Sequence, residues 1–173
     1  CSLWLHDQKS HGDKGSVHVR CVSIRSGVLN RMRPFTMNTQ TDAGGETTLI
    51  MVDDDDIDIM LMKRCVGKSN LKNEFLSFHS GEDFISYMLH VRNDEAPMPA
   101  LVFLDINMPK MNGFQVLEML RSMSEFKKLP IVMFLTNSDS LDDQERCKKL
   151  NAEMQEKFSD TQECVDFLNA LAS

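Results

Sequence analysis

Leu101-Val102-Phe103-Leu104 is an unbroken apolar run that stops at Asp105. Two other stretches have the same form. Leu49-Ile50-Met51-Val52 runs into Asp53 and Asp54, and Ile131-Val132-Met133-Phe134-Leu135 runs into Thr136. Short apolar runs without alternation read as strands buried on both faces, the signature of a parallel sheet. In an open parallel sheet, ligands collect outside the carboxyl ends of the strands, where the strand order reverses. Three separated stretches therefore deliver three carboxylates and a hydroxyl to one place.

Working outward, strand and helix patterns alternate from Thr47 onward. Strands are predicted near 48–52, 74–79, 100–104, 131–135 and, more weakly, 152–156. Helices are predicted from about Asp56, over 81–91, from Asn112 as N-cap, over 140–149 and over 160–171. The first helix is expected to bury a face carrying Ile57, Met60, Leu61 and Arg64. The second carries Phe84, Ile85, Met88 and Leu89, and the third Phe114, Val116, Leu117 and Leu120. Asn93, Pro97 and Pro99 end the second helix, and Pro130 precedes the fourth strand. Five βα units make a doubly wound α/β domain with right-handed crossovers.

The chain has 173 residues, enough for one domain with a real core. Its net charge of −7 argues against non-specific nucleic-acid binding. The charge is uneven: residues 1–46 sum to +2 and residues 47–173 to −9. The first 46 residues, polar and without a sustained period, read as a leader, mostly disordered or loosely attached. Met37 is a candidate natural start within it. No apolar run approaches the roughly 20 residues that span a bilayer, and no signal-peptide pattern is present. Cys1, Cys21, Cys65, Cys147 and Cys164 are odd in number and lack metal spacing, which suits reduced thiols and a cytoplasmic location.

Asp55 and Asp56 suit the first turn of a helix, where the dipole favours negative charge. Asp53 and Asp54 follow buried strand residues directly. Facing Asp105, they would repel unless a hard divalent cation with oxygen ligands, Mg2+ for preference, bridged them. Asp105 is then either a metal ligand alone or also a carboxylate nucleophile for a phosphoryl group. Phosphoryl transfer needs charge neutralisation and in-line positioning. Thr136 supplies a hydroxyl, and Lys157, after the last strand, supplies a cation. The 13 methionines read as core filler. His79 and His90 have no ligand spacing, Lys110 is a loop lysine, and Asp142, Asp143, Glu145, Arg146, Lys148 and Lys149 form a solvated helix face.

From about Thr47 to Leu171 the chain resembles a response-regulator receiver domain of two-component signalling, of the stand-alone type. The resemblance rests on LIMVDDDDID, LVFLDINMPKMNG, IVMFLT and the lysine in EMQEKF, with Met108-Pro109 and Gly113 at the family's offsets from Asp105. It implies a flavodoxin-like (βα)5 sheet in the order 2-1-3-4-5 over residues 47–173. It implies Asp105 as phosphoacceptor, with Asp53 and Asp54 as the acid pair and Asp54 the more direct Mg2+ ligand. The backbone carbonyl of Asn107 completes the metal shell. Thr136 becomes the switch hydroxyl and Lys157 the partner of the phosphoryl oxygens, while Asn107 and Ser138 tune dephosphorylation.

The implied function is a signalling switch that catalyses only its own phosphorylation and dephosphorylation. A sensor histidine kinase or phosphotransfer protein donates the phosphoryl group. A surface of the fourth helix, fifth strand and fifth helix controls a downstream protein or a homodimer, without direct nucleic-acid or membrane binding. Two departures stand out. Phe158 follows Lys157 where the family has a cis-proline; a non-proline cis bond costs ~3 kcal/mol, so a trans bond is expected. Met154 replaces the usual strand aromatic, though methionine still swaps rotamers easily. A degenerate receiver that binds a partner without phosphorylation is the second reading. A metal-dependent phosphatase is the third, disfavoured by Asn107 where such enzymes want a carboxylate.

Overall fold

The unalternating apolar runs do form central strands. In the computed structural model, which describes residues 16–19, 22–25, 28–31, 35–38, 47–135 and 141–171, β5 (Thr48–Val52) and β7 (Leu101–Asp105) are buried along their whole length. With β6 (Glu74–Phe78), β8 (Ile131–Leu135) and β9 (Glu153–Glu156) they make one parallel sheet in the order β6-β5-β7-β8-β9. That is the 2-1-3-4-5 order of a doubly wound fold. Upstream, four short strands pair antiparallel: β1 (Ser16–Val19) with β4 (Phe35–Asn38), and β2 (Val22–Arg25) with β3 (Val28–Arg31).

Successive side chains of a strand point to opposite faces, so a buried parallel sheet must fill two cores. Ile50, Val52, Val102, Leu104 and Met133 face α2 (Gly81–Arg92), α3 (Gly113–Ser122) and Cys147 of α4 (Leu141–Lys149). Leu49, Met51, Leu101, Phe103, Val132 and Phe134 face α1 (Asp56–Lys68) and α5 (Thr161–Leu171). The two edge strands are only partly buried.

Local signals explain the helix starts. Asp55 caps α1 by accepting the Ile57 N–H at 2.8 Å. Asn112 and Gln115 close a reciprocal capping box on α3. The expected face of α3 is buried as read. The expected face of α1 is not: Ile57 is 70% and Met60 64% exposed, while Ile59, Met62, Cys65 and Val66 are buried. The run Ile57–Met62 is apolar at nearly every step, so two helical phases fit it, and packing on α5 selects the second. On α2, Phe84 and Met88 are buried while Leu89 is exposed. The described cysteines Cys65, Cys147 and Cys164 are free and buried, and burial pushes the Cys147 thiol up to about 12. Among the described residues no helix is long and apolar enough to cross a membrane.

One arginine ties the far end of the sheet together. Arg121 Nε donates to Leu150 O at 2.7 Å, and Nη2 donates to Leu129 O at 2.9 Å and Asn151 O at 2.8 Å. Nη1 donates to Phe126 O. Burial lowers the guanidinium to about 10, which leaves it charged at neutral pH. Only a planar fork of donors reaches all four carbonyls. Arg121→Met should lower the unfolding free energy by about 3 kcal/mol in a denaturant titration, and Arg121→Lys should recover less than half of that loss.

Candidate functional site

The sheet register decides what meets at its carboxyl edge. Val52 lies beside Leu104, so Asp53 and Asp105 leave adjacent strands together. Leu135 pairs with Glu156, which places Lys157 just beyond the edge of β9. Asp53 is 1% and Asp105 2% exposed, whereas Asp54 is exposed.

Each buried carboxylate is held at both oxygens. Asp53 Oδ1 accepts the Asp55 N–H at 2.9 Å and Oδ2 accepts from Lys157 Nζ at 3.0 Å. Asp105 Oδ2 accepts the Asn107 N–H at 2.7 Å. Asp105 Oδ1 lies 2.9 Å from Lys157 Nζ as an ion pair, yet this buried oxygen has no partner with hydrogen-bond geometry. Lys157 also reaches Asp58 Oδ2 in the first turn of α1 at 2.6 Å. Burial by itself would lower the Lys157 ammonium; its close contacts with Asp58, Asp105 and Asp53 outweigh it and raise it above the usual lysine value. Burial raises the Asp53 carboxyl above its usual value, although Asp55 and Lys157 pull it down.

Oxygens of Asp53, Asp54 and Asp105 all lie within 4.8 Å of one another. An all-oxygen donor set of three carboxylates, one with an oxygen lacking a donor, fits a hard divalent cation. Asp53, Asp54, Asp105, Asn107 and Lys157, expected from the sequence, are thus brought to one edge. Thr136 and Ser138 lie outside the described residues. Asp58 has no role in the sequence reading: it is the third residue of α1, and no local spacing links it to Lys157. The bond from Lys157 to Phe158 is trans, as expected. Phe158 packs edge-on against Phe134 at 5.9 Å and against Phe167 at 5.2 Å, on the α1/α5 side. Met154 is half-buried against the opposite core.

The sequence signature of the response regulator receiver domain matches residues 49–164. The chain is 28% identical over 96 residues to the response regulator Rcp1 of Synechocystis sp., covering 55% of this chain and 65% of that protein. It is 26% identical over 98 residues to the probable methanogenesis regulatory protein FilR2 of Methanothrix harundinacea, covering 57% and 63% respectively. The chain thus spans just under two thirds of each of these relatives. Among solved structures it matches the bacteriophytochrome response regulator RtBRR, with 26% identity, a TM-score of 0.62, and 75% and 80% of the two chains covered. It also matches the Mn2+-bound form of Rcp1, with 22% identity, a TM-score of 0.62, and 73% and 92% covered. The second of these likenesses speaks for the fold alone.

A Cβ on Gly113 would sit 2.2 Å from the Asp105 carbonyl oxygen, whereas one on Gly67 would meet nothing within 4 Å. Gly113→Ala should cost about 2–3 kcal/mol in thermal or denaturant unfolding, while Gly67→Ala in α1 should gain about 0.5 kcal/mol. Asp53 has a raised value in the fold, so its contribution to stability is full below its unfolded value and is lost as pH rises through the folded one. In metal-free buffer the stability of Asp53→Asn relative to wild type should therefore grow as pH rises from 3.8 toward neutrality. A flat or falling difference in paired denaturant titrations would contradict this.

Proposed function

The chain belongs to the response regulator receiver domain family, and on that premise we propose that it is a switch phosphorylated on Asp105 with Mg2+. The observation that carries this reading is the lysine Nζ 2.9 Å from Asp105 Oδ1, beside a second buried carboxylate at 3.0 Å and an exposed third. The Asp105 carboxylate attacks the phosphorus of a phosphohistidine or small acyl phosphate. An O–P bond forms, the donor's bond to phosphorus breaks, and the electron pair leaves with the donor. Asn107 N–H holds one Asp105 oxygen and thereby orients the carboxylate. Lys157 faces the oxygen that lacks a hydrogen-bond donor and pairs with the phosphoryl charge once it arrives.

Asp53, Asp54, Asp105 and the Asn107 backbone carbonyl would hold Mg2+, which when bound neutralises phosphoryl oxygens. The Thr136 hydroxyl closes on the phosphoryl group, and that movement biases the surface of α4, β9 and α5 between two states. The donor is a sensor histidine kinase or phosphotransfer protein, and the output is a change in a protein partner or a homodimer in the cytoplasm. Asn107, two residues after Asp105, disfavours the phosphatase alternative.

Intact mass after incubation with acetyl phosphate tests the reading. Wild type should gain one phosphoryl adduct with Mg2+ and none with chelator. Asp105→Asn and Asp54→Ala should gain none, and Thr136→Ala should be phosphorylated but respond weakly. Mg2+ at about 100 times its dissociation constant should stabilise wild type by about 2.7 kcal/mol and leave Asp54→Ala nearly unchanged. Folded, Mg2+-binding wild type without an adduct would favour the degenerate receiver.

A further inference from the structure

Lys157 has three ammonium hydrogens and three carboxylate partners, and the partners are not equivalent. Asp53 and Asp105 belong to the trio whose oxygens converge within 4.8 Å; Asp58 does not. Asp58 makes the shortest of the three contacts, 2.6 Å against 2.9 Å and 3.0 Å. A cation drawn to Asp53 and Asp105 competes for the oxygens that hold Lys157 and repels its ammonium. Asp58 is the one partner such a cation leaves alone.

The helix start leaves Asp58 free for this task. It occupies the third position of α1, from which an acidic side chain commonly reaches back to the N-cap amide. Here that amide, Asp55 N–H, already donates to Asp53 Oδ1 at 2.9 Å, and the cap itself is supplied by Asp55. Asp58 turns instead toward a lysine 99 residues away in sequence, and both side chains are largely buried, at 21% and 29% exposure. Among the described residues Lys157 has no other carboxylate partner.

We propose that Asp58 is a positioning residue that retains Lys157 in the site when a divalent cation takes Asp53 and Asp105, so that ammonium and cation act there together. The assignment rests on the receiver reading above and extends it. Phosphorylation replaces Asp105 Oδ1 by phosphoryl oxygens as the acceptor facing Lys157, while Asp58 stays bound throughout. Without Asp58, the lysine would be free to swing into solvent as the cation enters.

Two measurements test this. The first is acylation of lysines by a soluble active ester, read at Lys157 by peptide mass spectrometry with and without Mg2+. Lys157 should be protected in wild type under both conditions. In Asp58→Asn it should remain protected without Mg2+ and become several-fold more reactive with it, and Asp58→Glu should restore much of the protection. The second is the phosphorylation rate with acetyl phosphate at saturating Mg2+. Asp58→Asn should be slower by about tenfold under conditions in which both proteins are fully folded. The same substitution should have little further effect on Lys157→Gln, because both act through one contact.

A merely structural acid in the first turn of α1 would slow both backgrounds equally and leave Lys157 labelling independent of Mg2+. That outcome, or unchanged Lys157 protection in Asp58→Asn with Mg2+, overturns the assignment. Failure of wild type to accept a phosphoryl group would instead overturn the reading of Asp105 as phosphoacceptor, and the labelling experiment would still decide on Asp58.

Discussion

Two carboxylates buried side by side at the ends of adjacent strands are the constraint to which the rest of this structure answers. Removing a charge from water costs several kcal/mol, and a like charge beside it adds to that cost. Asp53 and Asp105 are tolerated because Lys157 brings its ammonium to within 3.0 Å of both. The cation is covalently part of the chain, so the fold carries its own counter-ion before any metal binds. One ammonium against Asp53, Asp54, Asp58 and Asp105 still leaves the edge strongly negative. The same imbalance that makes the bare site uncomfortable makes it receptive to a dication.

Placing Lys157 there fixes much else. β9 must end beside β8 with Leu135 paired to Glu156. The loop after β7 must fold back so closely that Gly113 lies against the Asp105 carbonyl. Phe158 must turn from the site into the α1/α5 core, where Phe134 and Phe167 receive it. Met154, three residues before the lysine, packs into the opposite core. The segment from Met154 to Phe158 therefore touches both layers of the domain, with the active ammonium between the two anchors. Lys157 is thus flanked by packing on both faces of the sheet, although neither the proline nor the strand aromatic of the family pattern is present.

How much of this was legible in the residues depends on the range over which each signal acts. Strand positions were readable because each apolar run ends abruptly at a polar residue, and the helix starts because caps such as Asn112 act over three residues. The buried stripe of α1 was misread. Ile57, Ile59, Met60, Leu61 and Met62 offer two registers of nearly equal hydrophobicity, and only the neighbouring α5 distinguishes them. Asp53, Asp54, Asp105 and Lys157 were recoverable because each sits at or just after a strand end. Asp58 sits inside a helix, in a run of acids that local rules already explain as dipole decoration, and nothing within a few residues reports that its partner is Lys157.

The acidic run from Asp53 to Asp58 shows how one short stretch divides its labour by geometry alone. Asp53 is drawn into the sheet edge, Asp54 stays at the solvent side of the cation-competent trio, and Asp55 caps the helix. Asp56 remains outside and meets His79 at 3.3 Å, an exposed pair of small energetic consequence. Asp58 returns to the centre one turn later. The residue types are identical at five of these six positions, so chemistry cannot tell them apart. What separates a carboxylate at the sheet edge from a cap, and a cap from a partner of Lys157, is the change from a 180° to a 100° step per residue as β5 gives way to α1.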